Sequence, residues 1–403
     1  MNLLDAETLP DAPLFDPAYK ADPYPYYRRW TQMEPFWAMV AGQKAVVAAR
    51  YHDVAAIYLD HSNFSSVKPP SPEMARFDFF NGMKDLTHND PPDHARLRRT
   101  VNAAFSPGAV SRMRQSIQHR IDDLLAPIIA GGGRFEVMDD LANPLSLGVM
   151  LGTLLDVPER DYGIFARISR AMGMLGSVAD GERKPPEYLE AWADCETYCR
   201  RVIADQERQP TDDIIGAIVR AERDGTLSEA EMLIMIINVF VGGLSTIATL
   251  IGNTFVQILS HPAEYDLLLR DPALAADAVD EVLRFDSPGL FNYKFAARDL
   301  QLASLRVPEG TTVYLIHQAT GFDAAVFPEP ERFDIRRKAR NHLSFGYGVH
   351  FCLGAHVARL VVQLVLETTA RKLPHLRLDP QRPVRYGGWE QERAPLSVWV
   401  EPV

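Results

Sequence analysis

Residues 342–360 read HLSFGYGVHFCLGAHVARL, and Cys352 is the side chain in them most suited to chemistry. Gly346, Gly348 and Gly354 punctuate a loop that runs into a segment of apolar helical period, and Cys352 lies just before that segment. Free N–H groups and the helix dipole at such a junction stabilise a thiolate. Glycines there let the backbone approach a flat ligand closely. One cysteine is one soft ligand, too few for a structural zinc site but suited to an axial bond to a cofactor's iron. A lone cysteine is more often a buried, inert hydrophobe; the surrounding glycines and aromatics favour the ligand.

A second candidate is VGGLSTIATL, from Val241 to Leu250, inside a stretch without Asp, Glu, Lys or Arg from Met232 to Ser260. Each glycine in a helix interior costs about 1 kcal/mol relative to alanine, so the adjacent Gly242 and Gly243 need a reason. Asn238, Gly242, Ser245, Thr246, Thr249 and Asn253 step by three or four and share a face. A helix otherwise apolar all round, with one small polar stripe, suits the centre of a large soluble protein. The stretch is long enough to span a membrane, but these polar residues argue for a core helix. The stripe faces either a ligand or a closely packed helix, and the helix alone does not decide between them.

Three pairs have helical spacing. His94 and Arg98, in DPPDHARLRR, lie at i, i+4 and would present two donors on one face. Glu281 and Arg284 lie at i, i+3; taken alone, such a pair is an exposed ion pair worth a few tenths of a kcal/mol. Cys195 and Cys199 lie at i, i+4 and read as small half-buried hydrophobes, with no function assigned.

The run Phe345-Gly346-x-Gly348-x-His350-x-Cys352-x-Gly354 resembles the haem-binding signature of the cytochrome P-450 family at every characteristic position. The likeness continues in order and spacing from DPYPYYRRW (22–30) to ERAPLSVWV (392–400), and is closest to the soluble bacterial members. It implies a cytochrome P-450 fold, mainly α with small β-sheets (α+β), with a single haem domain over 1–403 and a long central helix crossing the haem. It implies haem b as cofactor, Cys352 as the thiolate ligand of its iron, Phe345 packed beside Cys352 and the macrocycle, and Gly346 and Gly354 in the loop against it. His94, Arg98 and His350 would hold the propionates, a charge-assisted hydrogen bond being the physical reason. A further donor is usually an arginine; Lys294 stands there and keeps the charge without the two-pronged fork. Glu281, Arg284 and Arg332 would form the structural Glu-x-x-Arg triad.

The same likeness resolves the central stripe. Gly242 and Gly243 would line the oxygen pocket, and Thr246 takes the place of the oxygen-activating threonine, its hydroxyl able to bond back to the Gly242 carbonyl. Ser245 departs from the pattern, because most relatives carry an acid there to relay protons from solvent. Serine hydrogen-bonds but supplies no proton at neutral pH. An ordinary monooxygenase with an altered relay, through water or substrate, is the preferred reading. A non-hydroxylating or peroxide-driven catalyst and a non-catalytic haem ligand binder are the alternatives. Phe240, Leu244, Leu290 and Phe291, with Phe79, Phe80 and Met83, would make a mainly apolar wall, and Asn238 and Asn292 would orient one polar group. This suggests a small-to-medium substrate such as a terpenoid or an aromatic. Dioxygen is the co-substrate. Electrons would come from NAD(P)H through a ferredoxin reductase and a ferredoxin docked on Arg96, Arg99, Arg112, Arg114, Lys338 and Arg340.

The elements that must position these residues read mostly as helices, at 92–105, 108–130, 141–155, 159–177, 186–207, 212–223, 227–260, 262–269, 272–285 and 354–372. Strand-like runs fall at 36–40, 44–49, 312–317 and 396–401, and 286–353 is rich in turn residues. No repeat or linker divides the 403 residues. The hydrophobic share of 47% and charged share of 24% are ordinary for a soluble globular protein. A net charge of −11 argues against a nucleic-acid or anionic-membrane partner. Three cysteines make no disulfide framework, and the N-terminus has no basic, apolar leader. A cytoplasmic monomer is expected.

Overall fold

The computed structural model describes residues 9–67, 80, 82–175 and 184–403. Phe79 lies outside them. The chain opens with α1 (Pro17–Ala21) and α2 (Tyr24–Trp30), both with proline in the first turn, where a missing N–H costs nothing. Their rings, Tyr19, Tyr24, Tyr27 and Trp30, pack on each other and on Phe285 and Phe322 with centroids 5.4–6.3 Å apart. Then come β1 (Phe36–Val40), β2 (Gln43–Ala48), α3 (Tyr51–Leu59) and β3 (Phe64–Ser65). The helical half follows: α4 (Asp93–Arg99), α5 (Pro107–Arg112), α6 (Arg114–Ala130), β4 (Phe135–Glu136), α7 (Asn143–Leu147), α8 (Tyr162–Met172), α9 (Pro186–Arg208) and α10 (Ile214–Arg223). Cys195 and Cys199 are buried on α9, as small hydrophobes.

The uncharged stretch is two helices, not the single helix expected over 227–260. These are α11 (Glu229–Val241), begun by a Ser228/Glu231 capping box, and α12 (Leu244–Ser260). Gly242 and Gly243 lie between them. Together they are long and apolar enough to cross a membrane, but 67% of their most apolar window is buried inside the protein. Nearly all of α12 from Ile247 to Ile258 is buried, packed on α7, on α14 (Ala275–Asp286) and on α15 (Ala355–Lys372). A short α13 (Pro262–Arg270) joins α12 to α14.

The turn-rich segment holds three strands that periodicity does not reveal, β5 (Asn292–Ala296), β6 (Leu300–Leu302) and β7 (Leu305–Val307), and then β8 (Thr312–Leu315), within the strand-like run expected at 312–317. β5 and β8 join a five-stranded sheet of order β1-β2-β8-β5-β3, in which β2 and β8 are parallel with Val46 opposite Val313, while β6 and β7 pair in a separate two-stranded sheet. The chain ends in β9 (Leu376–Leu378), β10 (Arg385–Gly387), β11 (Ala394–Ser397) and β12 (Trp399–Pro402); β12 lies between β4 and β9.

Glu281 and Arg284 on α14 are fully buried, and two guanidinium nitrogens meet the two carboxylate oxygens, both at 2.7 Å. The other nitrogen of the Arg284 fork donates to the carbonyls of Gly321 (2.6 Å) and Pro330 (2.8 Å). The third member is not the Arg332 side chain. That side chain is 53% exposed and pairs with Glu329 and Asp334. Arg332 contributes only its backbone carbonyl, 3.2 Å from Arg284. Arg337, 12% exposed, brings the second guanidinium, 3.2 Å from Glu281. The triad forms, with its partner shifted five residues along the chain.

Candidate functional site

A cavity of about 1130 Å³ lies between α12, the 343–354 loop and β5. That is above the roughly 300–1,000 Å³ of a single small-molecule site, as space for a cofactor and a substrate requires. Cys352, Phe345, Gly346, Gly354 and His350 line it, and so do His94, Arg98 and Lys294. The structure therefore gathers all eight expected cofactor contacts in one wall.

Local chemistry presents the thiol. Gly346 and Gly348 have φ of +70° and +68°, so the loop turns where other side chains would be strained. The Cys352 N–H donates to the Phe345 carbonyl at 2.8 Å. Arg98 reaches across from α4 and donates to the carbonyls of Val349 (3.0 Å) and Phe351 (2.6 Å), which fixes the loop on both sides of His350. The thiol is open to the cavity and enclosed by protein elsewhere. Burial pushes its pKa up; the N–H groups of Gly354 and Ala355 and the charges of Arg98 and Arg359 oppose that. A cysteine loop backed by N–H donors and guanidinium charge is built to carry a thiolate once a cation binds it. Beside it, the Phe345 ring carries the Arg359 guanidinium 4.6 Å from its centroid.

The second group fits two carboxylates. The rings of His94 and His350 lie 4.1 Å apart. Ser66 links His350 (3.0 Å) to the ammonium of Lys294. Both ring nitrogens of His94 are buried without a hydrogen-bond partner among the described residues, a costly state unless a ligand supplies one. Burial, then the charges of Arg98 and Lys294, push His94 down to about 4. Burial and the same neighbours push His350 to about 2, and burial pushes Lys294 to about 8. Positive groups that suppress one another's protonation await an anion. The residues present fit haem propionates beside a thiolate.

On α11 and α12, Asn238, Gly242, Gly243, Leu244, Ser245 and Thr246 all line the cavity. The expected bond from Thr246 to the Gly242 carbonyl is not made, and the Thr246 hydroxyl has no hydrogen-bond partner among the described residues. The break is held from outside instead: the Ser146 hydroxyl on α7 reaches the carbonyls of Gly243 (3.2 Å) and Leu244 (2.7 Å). The Ile247 N–H to Gly243 bond is stretched to 3.4 Å. A methyl group on Gly243 would come within 2.7 Å of the Met150 sulfur.

Two expected substrate contacts are elsewhere. Phe240 points away from the cavity and stacks on Phe165 at 4.6 Å, with Tyr198 edge-on at 6.0 Å. Leu290 is fully buried in the N-terminal aromatic cluster, whereas its neighbour Phe291 does reach the cavity. Phe80 lines the wall, but Met83 does not and packs into the core. Asn238 donates to Asp85 (3.2 Å) and Asn292 to the Tyr58 hydroxyl (3.2 Å).

Sequence reasoning singled out neither of two acids, although both fall in segments, 75–88 and 388–393, that the family likeness assigns to the distal pocket. Asp85 is fully buried under the cavity wall, bound to the His88 ring at 2.6 Å and the Thr87 hydroxyl at 2.7 Å. Burial raises its pKa, but the His88 charge and these hydrogen bonds outweigh that and hold it at about 2. Glu392, from the loop between β10 and β11, is 4% exposed and lines the cavity beside α12. Nothing local in GGWEQERAPL signals that this loop reaches the central helix. Of the surface cations, Arg96 is tied to Glu231 and Asp93, Arg114 to Glu367, Lys338 to Asp277 and Arg340 to Asp280. Arg99 and Arg112 are exposed and have no acidic partner among the described residues.

The model of the family described as Cytochrome P450 matches residues 273–384. The chain is 31% identical over 385 residues to cytochrome P450 107B1 of Saccharopolyspora erythraea, covering 92% of each. It is 32% identical to cytochrome P450 monooxygenase PikC of Streptomyces venezuelae, over 90% of this chain and 86% of that one. The crystal structure of the myxobacterial cytochrome P450 CYP267B1 in complex with myristic acid superposes with a TM-score of 0.87 at 31% identity, covering 96% of this chain and 98% of that one.

Proposed function

The chain belongs to the cytochrome P450 family, and from that premise we propose a haem-thiolate monooxygenase in which Cys352 would supply the thiolate to the haem iron. It inserts one atom of dioxygen into a small-to-medium, mostly apolar organic substrate. One observation carries the reading: the Cys352 loop, the cationic cluster and the broken helix at Gly242 and Gly243 line the same cavity. Bound haem supplies the iron at which dioxygen is reduced. His94, Arg98, His350 and Lys294 hold its carboxylates. Leu244 and Phe291 exclude water and pack the substrate's apolar body; Asn238, His88 and Asn292 offer it a polar end. That balance suits a chain or ring system with one polar group, and a structural relative is complexed with myristic acid.

The reaction is tested by turnover under isotopically labelled dioxygen, after a screen for compounds that shift the haem from low to high spin. One labelled atom in the product is expected. Product formed from peroxide alone, with dioxygen and reductant unused, would replace this reading with the peroxide-driven one that Ser245 favours. Electrons come from a ferredoxin and its NAD(P)H-dependent reductase, with the ferredoxin docked near Arg99 and Arg112. Arg99 adjoins Arg98, which grips the cysteine loop. Reduction by the ferredoxin therefore slows as salt rises, and a salt-independent rate would refute this docking.

Thr246 keeps its hydroxyl free to donate to the reacting dioxygen. Thr246→Ala is expected to lower product per electron consumed several-fold and to raise peroxide release by the matching amount. Unchanged coupling would remove this role from Thr246.

A further inference from the structure

We propose that Glu392 is the proton donor of the oxygen pocket, standing in for the acid that position 245 lacks. This rests on the monooxygenase reading above.

Two carboxylates line the cavity among the described residues, Asp139 and Glu392, and of these only Glu392 is buried. One Glu392 oxygen accepts from the Thr249 hydroxyl at 2.8 Å. Ser245, one turn earlier on the same face of α12, lines the same cavity and lies close enough to the carboxyl to lower its pKa. The acid therefore stands beside the residue that departs from the family pattern, which is itself next to Thr246. Ser245 need not supply a proton. It needs only to pass one from Glu392 towards Thr246, which a hydroxyl can do as donor and acceptor.

The surrounding loop is rigid, as a positioned acid requires. The N–H of Leu290 donates to the Gln391 carbonyl at 2.7 Å, that of Arg393 to Pro288 at 2.8 Å, and that of Glu392 to Trp389 at 2.9 Å. On the side away from the cavity, Lys20 of α1 donates to the carbonyls of Gly388 (2.9 Å) and Trp389 (2.6 Å). Arg393 is committed to Asp286 of α14 at 2.5 Å. The charged groups around Glu392 are thus Lys20 and Glu390, with Arg393 and Asp286 paired together; α12 faces it with hydroxyls alone. Burial pushes Glu392 up to about 7, against the hydrogen bonds from Thr249 and Ser245 and the charge of Lys20. Near neutral pH it is held half protonated, poised both to give a proton and to regain one.

The reaction balances as substrate C–H plus dioxygen, two electrons from the reduced ferredoxin and two protons, giving C–OH and water. The O–O and C–H bonds break, and the C–O and O–H bonds of the alcohol and the two O–H bonds of water form. Glu392 delivers protons through Ser245 and is reprotonated from solvent.

Glu392→Gln keeps the shape and accepts the Thr249 hydrogen bond but carries no acidic proton. Three results are expected. Coupled turnover falls roughly a hundred-fold, the lower end of general-acid effects. The decline of coupling with an apparent pKa near 7, as pH rises, disappears. The spin-state titration with substrate is unchanged, which a packing defect would not allow. Adding Ser245→Asp to Glu392→Gln restores coupling. Infrared titration of the haem-loaded protein, without turnover, shows a buried carboxylic acid band lost with a midpoint near pH 7 and absent in Glu392→Gln. A variant with wild-type coupling and pH profile, or a Glu392 carboxyl already ionised at pH 5, overturns the proposal. Failure of the wild-type protein to incorporate labelled dioxygen would instead overturn the monooxygenase reading.

Discussion

Cys352→Ser is expected to reduce monooxygenase turnover to background and to remove the strong red shift of the Soret band that a thiolate-ligated haem shows when reduced under carbon monoxide. A hydroxyl is a far poorer ligand for iron and is not ionised in this setting, so the electronic effect of sulfur is lost outright. The protein should remain folded. The side chain points into the cavity, and the loop is held by backbone bonds to Phe345 and by Arg98, none of which uses the sulfur. Circular dichroism and the spectrum together separate the two effects. A wild-type protein without the red shift would refute thiolate ligation; a serine variant that retains it would move the ligand away from Cys352.

Arg284→Leu is expected to destabilise the fold by about 3–5 kcal/mol, the usual cost of stranding one partner of a buried ion pair. Glu281 would stay fully buried, left with Arg337 at 3.2 Å and the Asp334 N–H at 2.9 Å. The carbonyls of Gly321 and Pro330 would also lose their donor. Arg332→Ala is the internal control. Its side chain is half exposed and its useful atom is a backbone carbonyl, so the change should stay within about 0.5 kcal/mol. Urea unfolding of the two variants checks both values. A large loss in Arg332→Ala would restore its side chain to the triad.

These variants also show where sequence could be read and where it could not. Cys352, the glycines around it and the Gly-Gly-x-Ser-Thr run were legible because local spacing constrains their backbone. His94 and Arg98 were legible as a pair on one helical face. Phe240 and Leu290 were misplaced for a different reason. Periodicity tells which residues share a face but not which neighbour that face meets; Asn238 and Gly242 turn to the cavity while Phe240 turns to α8 and α9. Leu290 and Phe291 are adjacent in extended chain, so only one can face inward. Arg332 and Arg337 lie in one irregular segment where no period says which guanidinium folds back. Glu392 was not singled out, though its segment 388–393 was assigned to the distal pocket, because its role exists only after its hairpin packs on a helix about 140 residues earlier in the chain. Strands β5 to β7 are short, and their alternation is too brief to register.

The pairing of β2 with β8 has a consequence for how the molecule is made. Val46 finds its partner at Val313, and β4, near residue 135, is completed only by β12 at 399–402. Neither sheet can close until a strand hundreds of residues away in the chain has been made. Contacts so distant in sequence make for slow folding, since the entropy of loop closure is lost before the contact forms. The helical half from α4 to α12, held mostly by near neighbours, can assemble while synthesis continues. The Glu392 loop, tied to α1 and to α12, can dock only after both of these distant helices are in place. That long-range docking would also deliver the acid to the oxygen pocket.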